Sequence, residues 1–176
     1  MRIWISACST GEEAYSIAII LDEILNFDRS KHIKIFATDV DEDAVKQARA
    51  GIFPEVTLSN ISPERLKRYF IQKGNEFEVK PQLKERVIFS RHDITMDPPF
   101  VNVDLVTCRN MLIYFETELQ KKIFTTFAYA LKQHGLLFLG KSESVGVHTD
   151  LFASIDPKAK IFQARTTTES RKLLYP

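Results

Sequence analysis

The chain has 176 residues, enough for one domain with a substantial core, and 24 Lys and Arg balance 23 Asp and Glu to a formal net charge of +1. This near-neutral charge excludes the bulk electrostatic attraction that binds nucleic acid or an anionic membrane. The apolar runs are far shorter than the roughly 20 residues of a membrane span, and nothing in the sequence resembles a signal peptide. We therefore expect a cytoplasmic protein with no membrane insertion, in which Cys8 and Cys108 are reduced thiols.

The first predicted elements are a short buried strand and a helix, joined by a turn of small residues. The apolar run that starts at Ile3 predicts the strand. Apolar side chains at helical spacing predict the inward face of the helix: Ile17, Ile20, Leu21 and Ile24. The turn, residues 8–11, carries no bulky side chain, so its backbone can approach a ligand closely, and Ser9 or Thr10 is expected to cap the helix.

Two acids in the first turn of this helix restrict the kind of ligand. Glu12 and Glu13 suit the positive end of the helix dipole, but they would repel the pyrophosphate that occupies this position in dinucleotide-binding folds. A nucleoside that carries a positive charge and an amino group fits better. S-adenosylmethionine is such a molecule.

A second strand and helix follow at residues 33–38 and 42–50. Gly51 is the predicted end of the helix, whose predicted inward residues are Ala44, Val45 and Ala48. Asp39, at the end of the strand, lies 28 positions after Gly11. An acid that binds ribose in the dinucleotide fold is expected after about 20 positions, and a helix N-cap is an equally good interpretation of Asp39. The alternation of strand and helix predicts a parallel sheet with crossover helices.

Residues 52–86 interrupt this alternation, and we interpret about 54–86 as an inserted β-subdomain. Ser62 and Pro63 predict the start of a short helix, and residues 69–72 and 76–80 predict a hairpin around a turn at 73–75. The insertion is dense in basic residues: Arg65, Lys67, Arg68, Lys73, Lys80, Lys84 and Arg86. They form either a solvated face or a docking surface for an acidic partner.

The sheet is predicted to resume with strands at 87–90 and 103–108, separated by a rigid turn at 97–100. The longest helix is predicted over 116–132, with one apolar face: Leu119, Ile123, Phe124, Phe127 and Leu131. Strands are then expected at 135–140, after a glycine stop, and near 160–164. The polar tail, residues 166–176, is expected to be a frayed linker.

Polar residues follow several predicted strands, at the edge where ligands bind open parallel sheets. Asp93 alone is more typical of a turn, and His92 is expected in an exposed loop; the four histidines lack metal-ligand spacing. Arg109 and Asn110 come directly after a buried strand, where polar side chains are costly unless they are used. Tyr114 either brings its hydroxyl to the same edge or is a core aromatic residue.

Four segments of the sequence resemble the CheR-type chemotaxis receptor methyltransferases, in order and at family-like spacing: residues 7–16, 37–41, 108–115 and 137–144. The resemblance covers nearly the whole chain. Residues 140–144 followed by 150–152 are most similar to fusions in which this domain follows a CheB-type methylesterase.

The resemblance implies a Rossmann-like class I methyltransferase fold over residues 1–165, α/β with a mostly parallel seven-stranded sheet and an antiparallel last strand. It implies S-adenosylmethionine-dependent methylation of receptor glutamate side chains, with S-adenosylhomocysteine as the product. Glu13 would hold the methionine part, Asp39 the ribose hydroxyls, and Tyr114 would sit beside the transferred methyl group. Asp93 and Ile94 would flank the adenine, and Cys108 and Arg109 would line the floor of the cofactor site. The remaining implied cofactor contacts are Ser9, Thr10, Gly11 and Asn110.

Two departures from the family pattern lead to further expectations. The family normally carries a helical N-terminal domain before the first strand, which supplies a threonine, an asparagine and an arginine that close over the cofactor, whereas this sequence begins at that strand. We therefore expect weaker cofactor binding and poor methyl transfer from this chain alone. The inserted β-subdomain would meet the cytoplasmic domain of the receptor, and its short loop at 73–76 predicts the type that does not grip a receptor tail.

Two other functions remain open at this point. The chain is alternatively a degenerate module that binds S-adenosylmethionine or docks signalling partners without turnover. It is also compatible with a small-molecule or RNA methyltransferase, since one fold serves many substrates. The neutral charge and the lack of an aromatic and basic stacking platform count against RNA.

Overall fold

The computed structural model describes residues 1–25 and 33–165. The strands, in chain order, are β1 Arg2–Ser6, β2 Lys34–Asp39, β3 Ile52–Pro54, β4 Phe70–Lys73, β5 Glu76–Val79, β6 Val87–Arg91, β7 Val103–Cys108, β8 Leu131–Leu139, β9 Phe152–Asp156 and β10 Ile161–Ala164. The helices are α1 Glu12–Leu25, α2 Glu42–Ala50, α3 Pro63–Tyr69, α4 Pro81–Lys84 and α5 Thr117–Ala130, with 3₁₀ turns at Glu55–Leu58 and Leu112–Tyr114.

The predicted fold class is confirmed. In the described part of the chain a seven-stranded sheet has the order β6-β2-β1-β7-β8-β10-β9, and β3, β5 and β4 form a separate three-stranded sheet. The pairs β1–β7, β7–β8 and β2–β6 are parallel, whereas β10 is antiparallel to both β8 and β9. The chain divides into two compact units: the first is Cys8–Arg91, and the second joins Met1–Ala7 to His92–Pro176, of which residues up to 165 are described.

In the first unit, the predicted inward face of α1 is wrong. Its buried residues are Ala14, Tyr15, Ala18, Ile19 and Asp22. Ile20 and Ile24, predicted to face inward, are 47% and 68% exposed. The buried stripe is offset by two residues from the isoleucine stripe, which is about 200° around the helix. Small alanines let the helix approach closely, and the buried Tyr15 hydroxyl donates to the Ala48 carbonyl at 2.9 Å.

Helix α2 has the predicted bounds, and its ends show why. Gly51 adopts φ 61° at the C-cap, the left-handed conformation that glycine accepts most readily. The N-cap is Asp41, whose side chain accepts hydrogen bonds from the backbone of Asp43 and Ala44. Val45 and Ala48 are buried, as predicted, and Ala44 is half-buried.

The predicted hairpin and short helix of the insertion are present. β4 pairs antiparallel with β5 from Phe70 opposite Val79 to Lys73 opposite Glu76, and Ser62 caps α3 with Pro63 at its start. Five of the seven basic residues form ion pairs within the chain: Arg65 with Glu23, Arg68 and Arg86 with Asp22, and Lys73 and Lys84 with Glu78. These pairs weigh against interpreting the cluster as a docking surface for an acidic partner.

The second unit is built around Trp4, which is fully buried on β1. The ring centroids of Phe100 and Phe127 lie 5.2 and 5.7 Å from that of Trp4. His92 packs edge-on at 5.5 Å and is half-buried, with Nε2 3.0 Å from the Pro98 carbonyl oxygen. His92 lies in a loop, as predicted, but it is half-buried rather than exposed, because its ring packs against Trp4 and Phe100.

Two element boundaries in the second unit differ from prediction. Helix α5 ends at Ala130, and β8 begins at Leu131, opposite Val103, rather than at Gly135. A register shift between Val103 and Leu105 accommodates His134, whose φ is 62°. Strand β9 has no predicted counterpart, and the prediction for the tail lies outside the described residues. Among the described helices, none has both the length and the apolar character needed to cross a membrane.

Candidate functional site

The turn between β1 and α1 is held in a strained shape. Ser9 has φ 48° and Gly11 has φ 97°, both in the left-handed region. The Cys8 backbone donates to the Thr38 carbonyl at 2.8 Å, which ties the turn to the end of β2. A Cβ on Gly11 would lie 2.9 Å from Ala48 Cβ, so only glycine allows this approach of the turn to α2.

Asp39 holds this turn and does not cap the following helix. One carboxylate oxygen accepts from the Ser9 backbone at 2.8 Å, and the other accepts from the Asp41 backbone at 3.0 Å. Since α2 is capped by Asp41, the cap interpretation of Asp39 is wrong. A carboxylate has about four lone-pair sites, so Asp39 keeps acceptor capacity for ligand hydroxyls beside these two bonds.

The two acids of α1 differ in their surroundings. Thr10 donates its hydroxyl to both oxygens of the exposed Glu12 at 2.7 and 2.8 Å, whereas Glu13 is half-buried. The prediction that Ser9 or Thr10 caps α1 is wrong, because Gly11 directly precedes the helix and its carbonyl accepts the first helical bond from Tyr15. The turn therefore leads into a half-buried carboxylate at a helix N-terminus.

Cys8 is unsuited to act as a nucleophile. Burial, reinforced by the negative charge of Asp39, raises the pKa of the Cys8 thiol to about 12. Cys8 and Cys108 are both buried free thiols. A neutral thiol at physiological pH lines the turn as a small apolar group.

In the second unit, the sheet register brings three strand ends to one edge. Ser6 pairs with Cys108, and Cys108 pairs with Leu139. The residues that follow these ends therefore lie side by side at the carboxyl edge of the parallel strands, where ligands bind in open sheets. Arg109 is one of them, and its guanidinium carbon lies 5.1 Å from the ring centroid of Phe138.

Asn110 and Tyr114 are both presented to solvent. Asn110 is exposed with φ 58°, and Tyr114, at the end of the 3₁₀ turn, is 80% exposed. The interpretation of Tyr114 as a core aromatic residue is therefore wrong. Its hydroxyl is accessible to a second molecule.

Asp93 and Ile94 lie in the turn that follows β6. Asp93 accepts from the Thr95 backbone at 2.9 Å and from the Thr95 hydroxyl at 2.7 Å, and its own backbone donates to Asp97 at 2.7 Å. This is the geometry of a turn residue. Both residues are half-buried, so part of each remains available for contact.

Sequence reasoning missed Glu143. Its carboxylate is buried and accepts hydrogen bonds from four backbone N–H groups, those of Asn110, Met111, Leu112 and Gly140. An acid between two serines resembles an exposed loop residue. The weak signal in the sequence is that Glu143 lies four positions after the end of β8, at Leu139, and so falls at the edge that carries the other polar residues.

The acceptor groups of the first unit fit a cationic nucleoside. A half-buried carboxylate at the start of α1 suits an ammonium group, and Asp39 at the end of β2 suits the hydroxyls of a ribose. The residues present are therefore compatible with S-adenosylmethionine.

Comparison with known proteins gives the same family as the sequence motifs. Residues 1–161 match the family described as CheR methyltransferase, SAM binding domain. The chain is 38% identical over 165 residues to an uncharacterized 104.1 kDa protein in the hypE 3' region of Rhodobacter capsulatus, covering 93% of this chain and 17% of that protein. It is 38% identical over 152 residues to the chemotaxis protein methyltransferase of Escherichia coli, covering 81% of this chain and 52% of that protein, about half its length.

Among solved structures, the DszA carbon methyltransferase superposes with a TM-score of 0.50 at 17% identity, covering 79% of this chain and 28% of that one. This likeness supports the fold alone. The family match spans all but the last 15 of the 176 residues. The chain therefore belongs to the CheR methyltransferase family, as its S-adenosylmethionine-binding domain.

Proposed function

We propose that the chain, over residues 1–165, is the cofactor-binding part of an enzyme that transfers a methyl group from S-adenosylmethionine to glutamate side chains of chemotaxis receptors. The observation that carries the proposal is the family match over residues 1–161. The Escherichia coli relative is named a chemotaxis protein methyltransferase. Fusion to a CheB-type methylesterase stays a prediction from the sequence.

Within the first unit, we assign the binding of the cofactor's polar groups to five residues: Ser9, Thr10, Gly11, Glu13 and Asp39. Glu13 would hold the ammonium of the methionine part, since it is an acid at a helix start. Asp39 would accept from the ribose hydroxyls. The bond from the Ser9 backbone to Asp39 at 2.8 Å supports this assignment, because it orients the carboxylate before any ligand arrives.

Within the second unit, we assign six residues by the same family pattern: Asp93, Ile94, Cys108, Arg109, Asn110 and Tyr114. Asp93 and Ile94 would contact the adenine, while Cys108 and Arg109 would line the floor of the cofactor site. Tyr114 is the assigned catalytic residue. Its 80% exposure supports a role toward an incoming protein side chain rather than in packing.

The proposed chemistry asks little of acid–base catalysis. When bound, S-adenosylmethionine supplies a methyl group already activated by a sulfonium. The receptor glutamate is itself the nucleophile, and its carboxylate is ionised at neutral pH, so no protein base is required. The residues of this chain would therefore act by orienting the two reactants and by displacing water from them.

We propose that the insertion, about residues 54–86, meets the cytoplasmic domain of the receptor, which places the protein in the cytoplasm. Most of the positive charge of the insertion is paired within the chain. The contact would then rest on the exposed apolar residues of its small sheet and the adjoining turn, among them Ile71 and Val56. A surface of this kind matches a largely apolar helix face better than an acidic peptide.

The test is a methyl-transfer assay with radiolabelled S-adenosylmethionine on receptor-containing membranes. The 176-residue chain is compared with a version extended at its N-terminus. We expect the extended version to label the receptor and the shorter chain to label it poorly or not at all. Treatment with base should release the label as methanol, because a glutamate methyl ester hydrolyses whereas an N-methyl group does not.

Two results would count against the proposal. A base-stable label would exclude glutamate as the acceptor. Comparable turnover by the two versions would show that the helical N-terminal domain normal in the family is dispensable for methyl transfer.

A further inference from the structure

We propose that Glu143 is a positioning residue, which fixes the backbone of residues 110–112 and thereby aims the side chains of Asn110 and Tyr114. The inference rests on the proposed function only for the roles of those two side chains. The hold of Glu143 on the backbone is observed directly in the geometry of the second unit.

Four backbone donors converge on this one carboxylate. Oε2 accepts from Gly140 at 2.7 Å and from Asn110 at 3.0 Å. Oε1 accepts from Leu112 at 2.8 Å and from Met111 at 2.9 Å. These four bonds match the four lone-pair sites of an ionised carboxylate, and the residue is only 4% exposed. The carboxylate is therefore committed to the backbone, with no role as a ligand of its own.

The segment that Glu143 holds needs external support. Asn110 has φ 58°, a left-handed conformation that asparagine adopts more readily than most residues with a Cβ. Met111 and Leu112 stand at the start of the 3₁₀ turn, so no earlier carbonyl group of that turn can accept from their N–H groups. Glu143 supplies the acceptors from 31 to 33 positions along the chain. Without the Glu143 carboxylate these N–H groups would lose their acceptors, and we expect the segment to relax to another conformation.

The position of Glu143 follows from the sheet. Cys108 pairs with Leu139, so the residues after β7 and after β8 leave the sheet next to each other. Gly140 then keeps the space clear: a Cβ there would lie 2.6 Å from Glu143 Oε2 and 2.7 Å from Asn110 Oδ1. Gly140 and Glu143 therefore act together to hold the segment, and each can be substituted separately.

This geometry predicts how two substitutions act. Glu143→Gln replaces one acceptor oxygen with an NH₂ group that faces donors, so at least two of the four bonds are lost. Gly140→Ala leaves the carboxylate intact but displaces it. Glu118→Gln, on the exposed first turn of α5, is the matched control for loss of one negative charge in the same unit.

The experiment combines three measurements on each variant of the chain, with kinetics measured in the N-terminally extended version. The chemical shifts of the amide protons report whether residue 143 still accepts their hydrogen bonds; the amides are those of Asn110, Met111, Leu112 and Gly140. Calorimetric titration with S-adenosylhomocysteine reports cofactor affinity. Methyl-transfer kinetics separate kcat from the KM for receptor.

We expect Glu143→Gln to move all four amide signals upfield and Gly140→Ala to move those of Asn110, Met111 and Leu112. Both variants should weaken S-adenosylhomocysteine binding on the order of tenfold. The kcat should fall by more than the KM for receptor rises, because misdirected side chains affect the reacting geometry first. Glu118→Gln should change none of the three. A purely structural Glu143 would lower stability alone and would leave the affinity and kcat of the folded fraction unchanged.

The inference is overturned if Glu143→Gln is folded, shifts the four amides and keeps parental affinity and kcat. It is equally overturned if the amides do not move. If Glu143→Gln does not fold, Gly140→Ala decides between the two outcomes, since it retains the buried carboxylate. If the unsubstituted chain fails to bind S-adenosylhomocysteine, the proposed function fails, and the amide signals alone decide whether Glu143 holds the segment.

Discussion

Asp39 and Asp41 offer a matched pair of substitutions that separates a cofactor ligand from a helix cap. Both are acids in the same strand-to-helix connection, two residues apart. Asp39 accepts from the Ser9 backbone at 2.8 Å and from the Asp41 backbone at 3.0 Å, whereas Asp41 accepts from the first turn of α2. Asp39→Ala should damage cofactor binding, and Asp41→Ala should damage stability alone.

The magnitudes follow from these contacts. Loss of a helix cap costs about 0.5–2 kcal/mol, so Asp41→Ala should lower the free energy of unfolding by this amount. Asp39→Ala removes two charge-assisted bonds, but both donors become accessible to water, so a loss of about 1–2 kcal/mol is expected. The affinity for cofactor should fall by roughly 1.5–3 kcal/mol in Asp39→Ala, or about 10- to 150-fold, for one charge-assisted bond to ribose.

The assay is calorimetric titration of each variant with S-adenosylhomocysteine, paired with urea unfolding in the absence of ligand. Asp41→Ala should retain parental affinity, within about threefold (a limit near 0.7 kcal/mol). Parental affinity in Asp39→Ala would refute the assignment of Asp39 to the ribose. Equal losses of affinity in both variants would show that the connection as a whole, rather than the Asp39 carboxylate, supports the ligand.

Three further predictions concern the first unit. Glu13→Gln should weaken cofactor binding more than Glu12→Gln, since Glu12 is exposed and already bound by a threonine hydroxyl; titration calorimetry would show the reverse order if the assignment is reversed. Tyr69→Phe removes the 2.8 Å bond to the fully buried Asp22 carboxylate and should cost about 1–3 kcal/mol in urea unfolding; no loss would mean that water replaces the hydroxyl. Hydrogen bonds from its two lysine partners lower the pKa of Glu78 from 4.5 to about 2, so its contribution to stability is complete above pH 4.5 and is lost as the pH falls to about 2. Glu78→Gln should remove that part of the acid dependence of unfolding, and an unchanged pH profile would contradict the pairing.

Strong local signals made much of the fold predictable. Helix α2 has the bounds expected from its periodic alanine and valine residues and from Gly51, and β7 has the bounds of its apolar run. Tertiary packing decided the elements that differed. The inward face of α1 depends on two alanines and Tyr15, which carry less apolar weight than the four isoleucine and leucine residues on the other side. The start of β8 at Leu131 depends on its pairing with Val103, which no local pattern indicates.

The sequence predicts that the candidate site lies at the ends of the strands, but it does not predict which role each acidic residue has there. Asp39 and Asp41 are both able to cap α2, and the sequence alone does not say which one does. Glu143 reaches partners more than 30 positions away, so its role follows from the register of β7 and β8. The exposure of Tyr114 depends on a 3₁₀ turn that this carboxylate supports from its first residue.

The most direct test of the account is calorimetric titration of the 176-residue chain with S-adenosylmethionine and, separately, with S-adenosylhomocysteine, with ADP as a control for general nucleotide binding. The account predicts one binding site for each of the first two ligands, a rise in the unfolding temperature with ligand concentration, and no binding of ADP, whose phosphates the acids of α1 would repel. Absence of binding to both S-adenosyl compounds at millimolar concentration, or stronger binding of ADP, would contradict the assignment of this domain as a cofactor-binding module.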